Sequence, residues 1–128
     1  MAWLFTWGMR LSERIIGMAI EVHRHLGPGL LESAYEECLC FELGAAGLPF
    51  RRQVPLPVIY KGIQLDCGYR MDVTVDQKII LEIKATETVL PIHKAQLLTY
   101  LRLSGHRVGL LMNFNSVLLK DGLHRLVL

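Results

Sequence analysis

Asp72-Val73-Thr74-Val75-Asp76-Gln77-Lys78-Ile79-Ile80-Leu81-Glu82-Ile83-Lys84 reads as two short strands folded back on each other around a polar turn. Val73 and Val75 alternate with Asp72 and Thr74, and Ile79, Leu81 and Ile83 alternate with Ile80, Glu82 and Lys84. Side chains of a strand point to opposite faces with period two. Glu82 and Lys84 therefore share a face, which Asp72 and Thr74 can join. A three-residue turn, Asp76-Gln77-Lys78, sets Asp72 opposite Glu82; a two-residue turn, Asp76-Gln77, slips the register and sets Asp72 opposite Leu81. The pattern permits both registers. In the first, two carboxylates and an ammonium group converge while the other face stays apolar. Two carboxylates about 4 Å apart repel by about 4 kcal/mol at a typical effective dielectric. Lys84 offsets part of that, and a divalent cation would offset more. The plainer alternative is a cross-strand ion pair on a solvated face, which contributes little.

The chain has 128 residues, the size of one domain. Its 52% hydrophobic content and mean hydropathy of +0.32 favour a well-buried fold over disorder. A net charge of +2 provides no overall basic field. Contact with nucleic acid would need a local patch, for which Arg51, Arg52, Lys61, Arg70, Lys94 and Arg102 are the available cations. Cys38, Cys40 and Cys67 cannot all pair, and they are expected to be buried, reduced thiols of a cytoplasmic protein. No apolar run approaches the roughly 18 residues of a membrane span. The opening Met1–Gly8 is apolar, too short for a signal peptide and followed by no small-residue cleavage site. Met9 offers an internal start, so positions 1–10 are set aside as an extension and positions 11–128 as the domain.

Around the central stretch the punctuation is clear. Ser12 is a plausible N-cap for a helix to Leu26 with Ile15, Ile16, Ala19, Ile20, Val22 and Leu26 at helical spacing. His23 falls on or beside that stripe, where a histidine is more often a hydrogen-bonded core residue than a ligand. Gly27-Pro28-Gly29 breaks the helix, and a second is expected from Leu30 to Ala46, capped by Gly47. Its stripe is Leu31, Ala34, Tyr35, Cys38, Leu39 and Leu43. Glu32 either complements the dipole of this helix or leans over the sheet. A strand is expected over Gln53–Tyr60, confined to an edge or bulged by Pro55 and Pro57. A longer extended run should follow over Ile63–Val75, bent at Gly68. The return strand spans Lys78–Ala85, and a helix spans Ile92–Leu103 with Gln96 and Tyr100 projecting together. Arg107–Phe114 has the apolar continuity of a fully buried strand, and a small edge strand is expected to close the chain after Asp121-Gly122. The order α-α-β-β-β-α-β makes a mixed sheet with helices on its faces.

Gly29-Leu30-Leu31-Glu32-Ser33-Ala34-Tyr35 matches a G-x-x-E-x-x-Y motif at every fixed position. Together with Tyr69-Arg70-x-Asp72, Leu81-Glu82-Ile83-Lys84-Ala85, the run His93–Leu101 and the ending Asn113-Phe114, it makes the chain resemble the GxxExxY family. These are small bacterial and archaeal proteins of the PD-(D/E)xK nuclease superfamily. The similarity covers Leu11 to the C-terminus.

The resemblance implies a restriction-endonuclease-like core with a RecB-like or lambda-exonuclease-like site. Carried over, Glu32, Asp72, Glu82 and the backbone carbonyl of Ile83 would bind Mg²⁺ or Mn²⁺, for which hard oxygen donors are suited. Lys84 would position the attacking water and stabilise charge on the phosphate. Gln96 and Tyr100 would hold the phosphate or orient the site, with His23 and Tyr35 as accessory residues. The implied activity is metal-dependent hydrolysis of nucleic acid, DNA ahead of RNA. The alternative is a non-catalytic nucleic-acid-binding or protein-interaction module on the same fold. A homodimer is expected, because so small a domain offers little grip on a duplex. No Cys/His metal cluster, GxSxG or Walker loop competes for the function.

Overall fold

The computed structural model describes residues 2–128, with side chains from Leu11 onward. The side chains of the expected extension, positions 1–10, and the internal start at Met9 lie outside the described residues. The elements are α1 (Ala2–Leu26), α2 (Glu32–Ala45), β1 (Phe50–Pro55), β2 (Val58–Tyr60), β3 (Ile63–Leu65), β4 (Arg70–Val75), β5 (Ile79–Lys84), α3 (Pro91–Ser104), β6 (Val108–Asn113), a 3-10 turn (Leu119–Gly122) and β7 (Leu123–Val127).

Five strands form one mixed sheet in the order β1-β4-β5-β6-β7, and β2 pairs only with β3. β5 and β6 are parallel, joined by the α3 crossover, and the other neighbours are antiparallel. Parallel neighbours need such a crossover, whereas a tight turn suffices between β4 and β5. The sheet separates two cores. Against α1 and α2 lie Val73, Val75, Leu81, Ile83, Leu110 and Met112; against α3 lie Ile80 and Leu111 with Leu97, Tyr100 and Leu101. β5 is buried at every position from Ile79 to Ile83 because it is central and covered on both faces. Each fully buried Leu or Ile there contributes about 1.5–3 kcal/mol of transfer free energy.

The turn question is settled by the ladder Val73↔Leu81, Thr74↔Ile80, Val75↔Ile79. The loop is the three-residue one, and the same register carries Asp72 opposite Glu82. Asp76 and Gln77 both take left-handed φ values, 52° and 53°. Lys78 N–H closes the turn onto Val75 O at 2.9 Å, and Asp76 N–H is anchored on Pro49 O at 2.8 Å.

Several expectations are corrected. Ser12 does not cap α1; the helix begins at Ala2, and Ser12 is buried within it. The α2 stripe is Tyr35, Glu36, Leu39, Cys40 and Leu43, while Leu31 precedes the helix and is 77% exposed. The expected strand Gln53–Tyr60 is two strands, because Leu56-Pro57 leaves the sheet between them. The expected run Ile63–Val75 is likewise broken after Leu65, where Gly68, at φ 78°, bonds its N–H to Asp66 Oδ1 at 3.0 Å. On α3 the deepest residues are Leu97 and Leu101, with Tyr100 buried beside them. The three cysteines are free, but only Cys40 is buried; Cys38 is half-buried and Cys67 exposed. Burial pushes the Cys40 thiol up to about 11, with Arg52 pulling the other way.

Candidate active site

The G-x-x-E-x-x-Y motif is a joint between two helices. Gly27 and Gly29 take φ values of 67° and 100°, which glycine adopts without penalty. The Tyr35 hydroxyl donates to Gly27 O at 2.6 Å and accepts from Leu30 N–H at 3.1 Å. Its ring stacks on Phe114, centroids 4.6 Å apart. Tyr35 thus staples the joint and sets Glu32 at the exposed start of α2, where its charge acts on both Asp72 and Glu82. His23 is buried, donating from Nε2 to Ser116 O at 2.8 Å beside Phe114, so it braces the same corner.

Asp72 and Glu82 meet where the β4–β5 ladder stops. Beyond Val73↔Leu81 the strands no longer exchange backbone bonds, and the two acids take over. Ile83 N–H donates to Asp72 Oδ2 at 2.9 Å, and Asp72 N–H donates to Glu82 Oε1 at 3.3 Å. Glu82 is buried and Asp72 half-buried. Burial, and then the charge of Asp72, push the Glu82 carboxyl up to about 8. Burial also raises Asp72, the Ile83 N–H bond opposes it, and the charges of Glu36 and Glu32 add to it. Lys84 acts on both acids in the opposite sense. Adjacent carboxyls drawn out of water favour the neutral form of at least one.

From the other face, α3 presents Gln96 and Tyr100, with Gln96 Nε2 donating to the Tyr100 hydroxyl at 3.0 Å. Burial raises the Tyr100 hydroxyl, and the charges of Glu82, Tyr69 and Asp72 raise it further. The Tyr69 ring stands edge-on to Tyr100 at 6.2 Å and 65°. Asn113, facing Lys84 across the parallel ladder, fixes the segment after β5. Its Oδ1 accepts from Thr86 N–H at 3.1 Å, and its Nδ2 donates to Thr86 O at 2.8 Å.

Glu36, Arg52 and Gln53 were not singled out as site residues from the sequence. Glu36 is buried one helical turn after Glu32. Its Oε2 accepts from Arg52 Nη2 at 2.8 Å, and its Oε1 from Gln53 Nε2 at 2.9 Å. Adjacent strand residues normally face opposite ways. Gln53 escapes this through a φ of 50°, directly beside Asp72 in the β1–β4 register. The same row is where both strands change face. Val73 lies in the α1–α2 core, while Met71 and Val54 lie in the α3 core. The helical step from Glu32 to Glu36 was the available signal, and the reach of Arg52 was not. Arg52, paired also with Glu37 Oε1 at 2.9 Å, is thereby removed from the cations expected to track phosphate.

The donor chemistry fits a small divalent cation, but through a pair. Among the described residues no group of three or more His, Cys, Asp or Glu side chains is gathered to hold a metal. Glu32 is therefore not brought into one cluster with Asp72 and Glu82. Mg²⁺ commonly binds through only one or two carboxylates, completing its shell with water and phosphate. Two crowded carboxyls with raised pKa values are the environment that a divalent charge would relieve.

No described helix is long and apolar enough to cross a membrane. No curated protein and no solved structure matches the chain significantly. The family model of the PD-(D/E)XK nuclease superfamily matches residues 9–126. That span holds both acids, Lys84 and the restriction-endonuclease-like sheet that carries them, and the chain belongs to the PD-(D/E)XK nuclease superfamily.

Proposed function

We propose that the protein is a nuclease of the GxxExxY type that hydrolyses phosphodiester bonds of nucleic acid, DNA ahead of RNA, with Mg²⁺ or Mn²⁺. The observation that carries this is the interleaving of Asp72 and Glu82 at the end of the β4–β5 ladder, with the charge of Lys84 acting on both. Asp72 and Glu82 would hold the cation, with the Ile83 carbonyl as a further oxygen donor, while Glu32 would act through its charge from the start of α2. A bound divalent cation polarises phosphoryl oxygens and acidifies water at neutral pH. Lys84 places a positive charge where negative charge grows on the phosphate. Gln96 and the Tyr100 hydroxyl it bonds to supply neutral donors for phosphate oxygens. Tyr35 and His23 act at one remove, by fixing the joint that carries Glu32 and the corner beneath it. The free cysteines suit a reducing, cytoplasmic setting, and a homodimer would extend the small contact surface.

The test is a cleavage assay on single- and double-stranded DNA and RNA with Mg²⁺, Mn²⁺ or EDTA, beside Glu82→Ala and Lys84→Ala. Metal-dependent cutting that both variants lose supports the proposal. Cutting that survives in both places the activity elsewhere. No cutting by folded wild-type protein that still binds nucleic acid favours the non-catalytic module.

A further inference from the structure

The β2–β3 hairpin stands apart from the main sheet as a two-stranded sheet of its own. Its base is pinched by Leu56 N–H donating to Tyr69 O at 2.9 Å. Between those residues Ile59, Tyr60, Ile63 and Leu65 are 42–59% exposed. A lone hairpin is marginal in water, and contiguous exposed apolar surface marks a contact site. Between this hairpin and α3 opens a cavity of about 630 Å³, walled by Val58, Tyr69, Gln96 and Tyr100 among others. That volume lies within the range of ligand sites. Val58 and Tyr60 are two apart on one strand and share a face, so Tyr60 continues the wall about 7 Å outward.

Three features identify the occupant. Tyr100 links the groove to the Asp72–Glu82 site: it lines the groove, its ring meets Tyr69, and its hydroxyl feels the charges of both acids. No carboxylate lines the groove, while cations flank it. Lys61 Nζ sits 5.5 Å from the centre of the Tyr60 ring, and Arg102 Nη2 donates to the groove residue Thr99 at 3.1 Å. Finally, the walls offer one donor and one acceptor for a base edge. His93 Nδ1 accepts from Leu90 N–H at 3.0 Å, leaving the proton on Nε2. Gln96 gives one amide N–H to Tyr100, and its carbonyl oxygen can accept. Aromatic walls, flanking cations and sparse polar groups suit unpaired bases with their phosphates outside. Paired bases do not offer their faces to such walls.

We propose that the groove between the β2–β3 hairpin and α3 stacks unpaired nucleobases on Tyr69 and Tyr60, making single-stranded nucleic acid the ligand class of this surface. As a statement about substrate, this rests on the nuclease reading above; as a statement about binding, it stands without turnover.

The test is fluorescence anisotropy of the full-length protein in EDTA, where metal-dependent cutting is blocked. The probes are labelled oligothymidylate, oligouridylate and a duplex of the same length. Wild-type protein should prefer the single strands. Tyr69→Ala should weaken single-strand binding about tenfold, in line with the loss of one stacked base, and leave duplex binding unchanged. Tyr69→Phe should retain binding, which separates the ring from any effect on folding. Equal loss on duplex and single strand, or an unchanged Tyr69→Ala, would overturn the proposal. Absence of nucleic-acid binding, with wild-type dimers that dissociate in Tyr60→Ser or Ile63→Ser, would overturn it in favour of a protein interface. Single-strand binding lost in Tyr69→Ala, with no cleavage under any metal, would uphold the groove and sink only the hydrolysis.

Discussion

Asp72 holds the backbone N–H that follows Glu82, and Glu82 holds the backbone N–H of Asp72 itself. The Asp72 carboxylate accepts the Ile83 N–H at 2.9 Å, and the Glu82 carboxylate accepts the Asp72 N–H at 3.3 Å. The acids therefore replace the ladder bonds that β4 and β5 stop making, and the site is built into the sheet. Moving either acid by one position would lose both the charge pair and the end of the ladder.

The pH dependence of stability follows from this pair. Glu82 ordinarily titrates near 4.5 and is pushed up to about 8 in the folded protein by burial and by Asp72. The folded state thus binds this proton more tightly than the unfolded one. Stability of the metal-free protein should be greatest at the acid end of that window, fall as pH rises through it, and level off above about 8. The fall should be on the order of a few kcal/mol. Urea unfolding in EDTA across this range measures it, and Glu82→Gln should flatten the curve. A steady rise with pH through the window would contradict the origin given for the shift.

Divalent cation should act against that fall. Mg²⁺ or Mn²⁺ binds the ionised acids, so thermal stabilisation by the metal should grow as pH rises toward 8. At a hundredfold excess over the dissociation constant it should approach about 2.7 kcal/mol. Asp72→Asn and Glu82→Gln should abolish the metal-induced rise in melting temperature without unfolding the protein. An unchanged rise in both would place the cation elsewhere.

Tyr35→Phe removes the hydroxyl that bonds Gly27 O and Leu30 N–H but keeps the ring stacked on Phe114. The cost should be about 1–3 kcal/mol, read as a shift in the urea midpoint with unchanged slope. If the staple also positions Glu32, cleavage should fall further than the loss of folded protein explains.

Arg52→Ala leaves Glu36 buried with only Gln53 bonded to it. A loss of about 2–3 kcal/mol is expected, because an acid stripped of its cation keeps its desolvation cost. Removing both partners in Glu36→Gln with Arg52→Ala should cost less than the sum of the single changes. Simple additivity would show that the clamp is not a unit.

Gly109→Ala tests the packing of α3. A Cβ at Gly109 would stand 2.9 Å from Leu97 Cγ and Cδ1, and Leu97 is fully buried. The helix must move off the sheet, at about 1–3 kcal/mol. Because Gln96 and Tyr100 ride on that helix, activity should drop along with stability. A variant as stable as wild type would mean that Leu97 finds another rotamer.

Much of the site was legible because its signals are local. Period two put Glu82 and Lys84 on one face, helical spacing paired Gln96 with Tyr100, and Gly27 and Gly29 marked a break that the structure keeps. Ser12 misled because a good capping residue carries no instruction to begin a helix when the chain before it is already helical. The hairpin's separation from the main sheet was missed because Val58–Tyr60 and Ile63–Leu65 read as the ends of longer extended runs on either side of Lys61-Gly62.

The sequence by itself determined which acids exist, which faces they can share and the succession of helical and extended regions, though not the breaks that split two extended runs into four strands, since side-chain periodicity and turn chemistry act over a few residues. Tertiary structure decided the rest. The left-handed turn at Asp76 and Gln77, tied to Pro49, chose the register that brings Asp72 to Glu82. The positive φ of Gln53 brought two neighbouring side chains onto Glu36, sixteen and seventeen positions earlier. Both depend on backbone conformations that are unfavourable alone and persist only where contacts distant in the chain hold them.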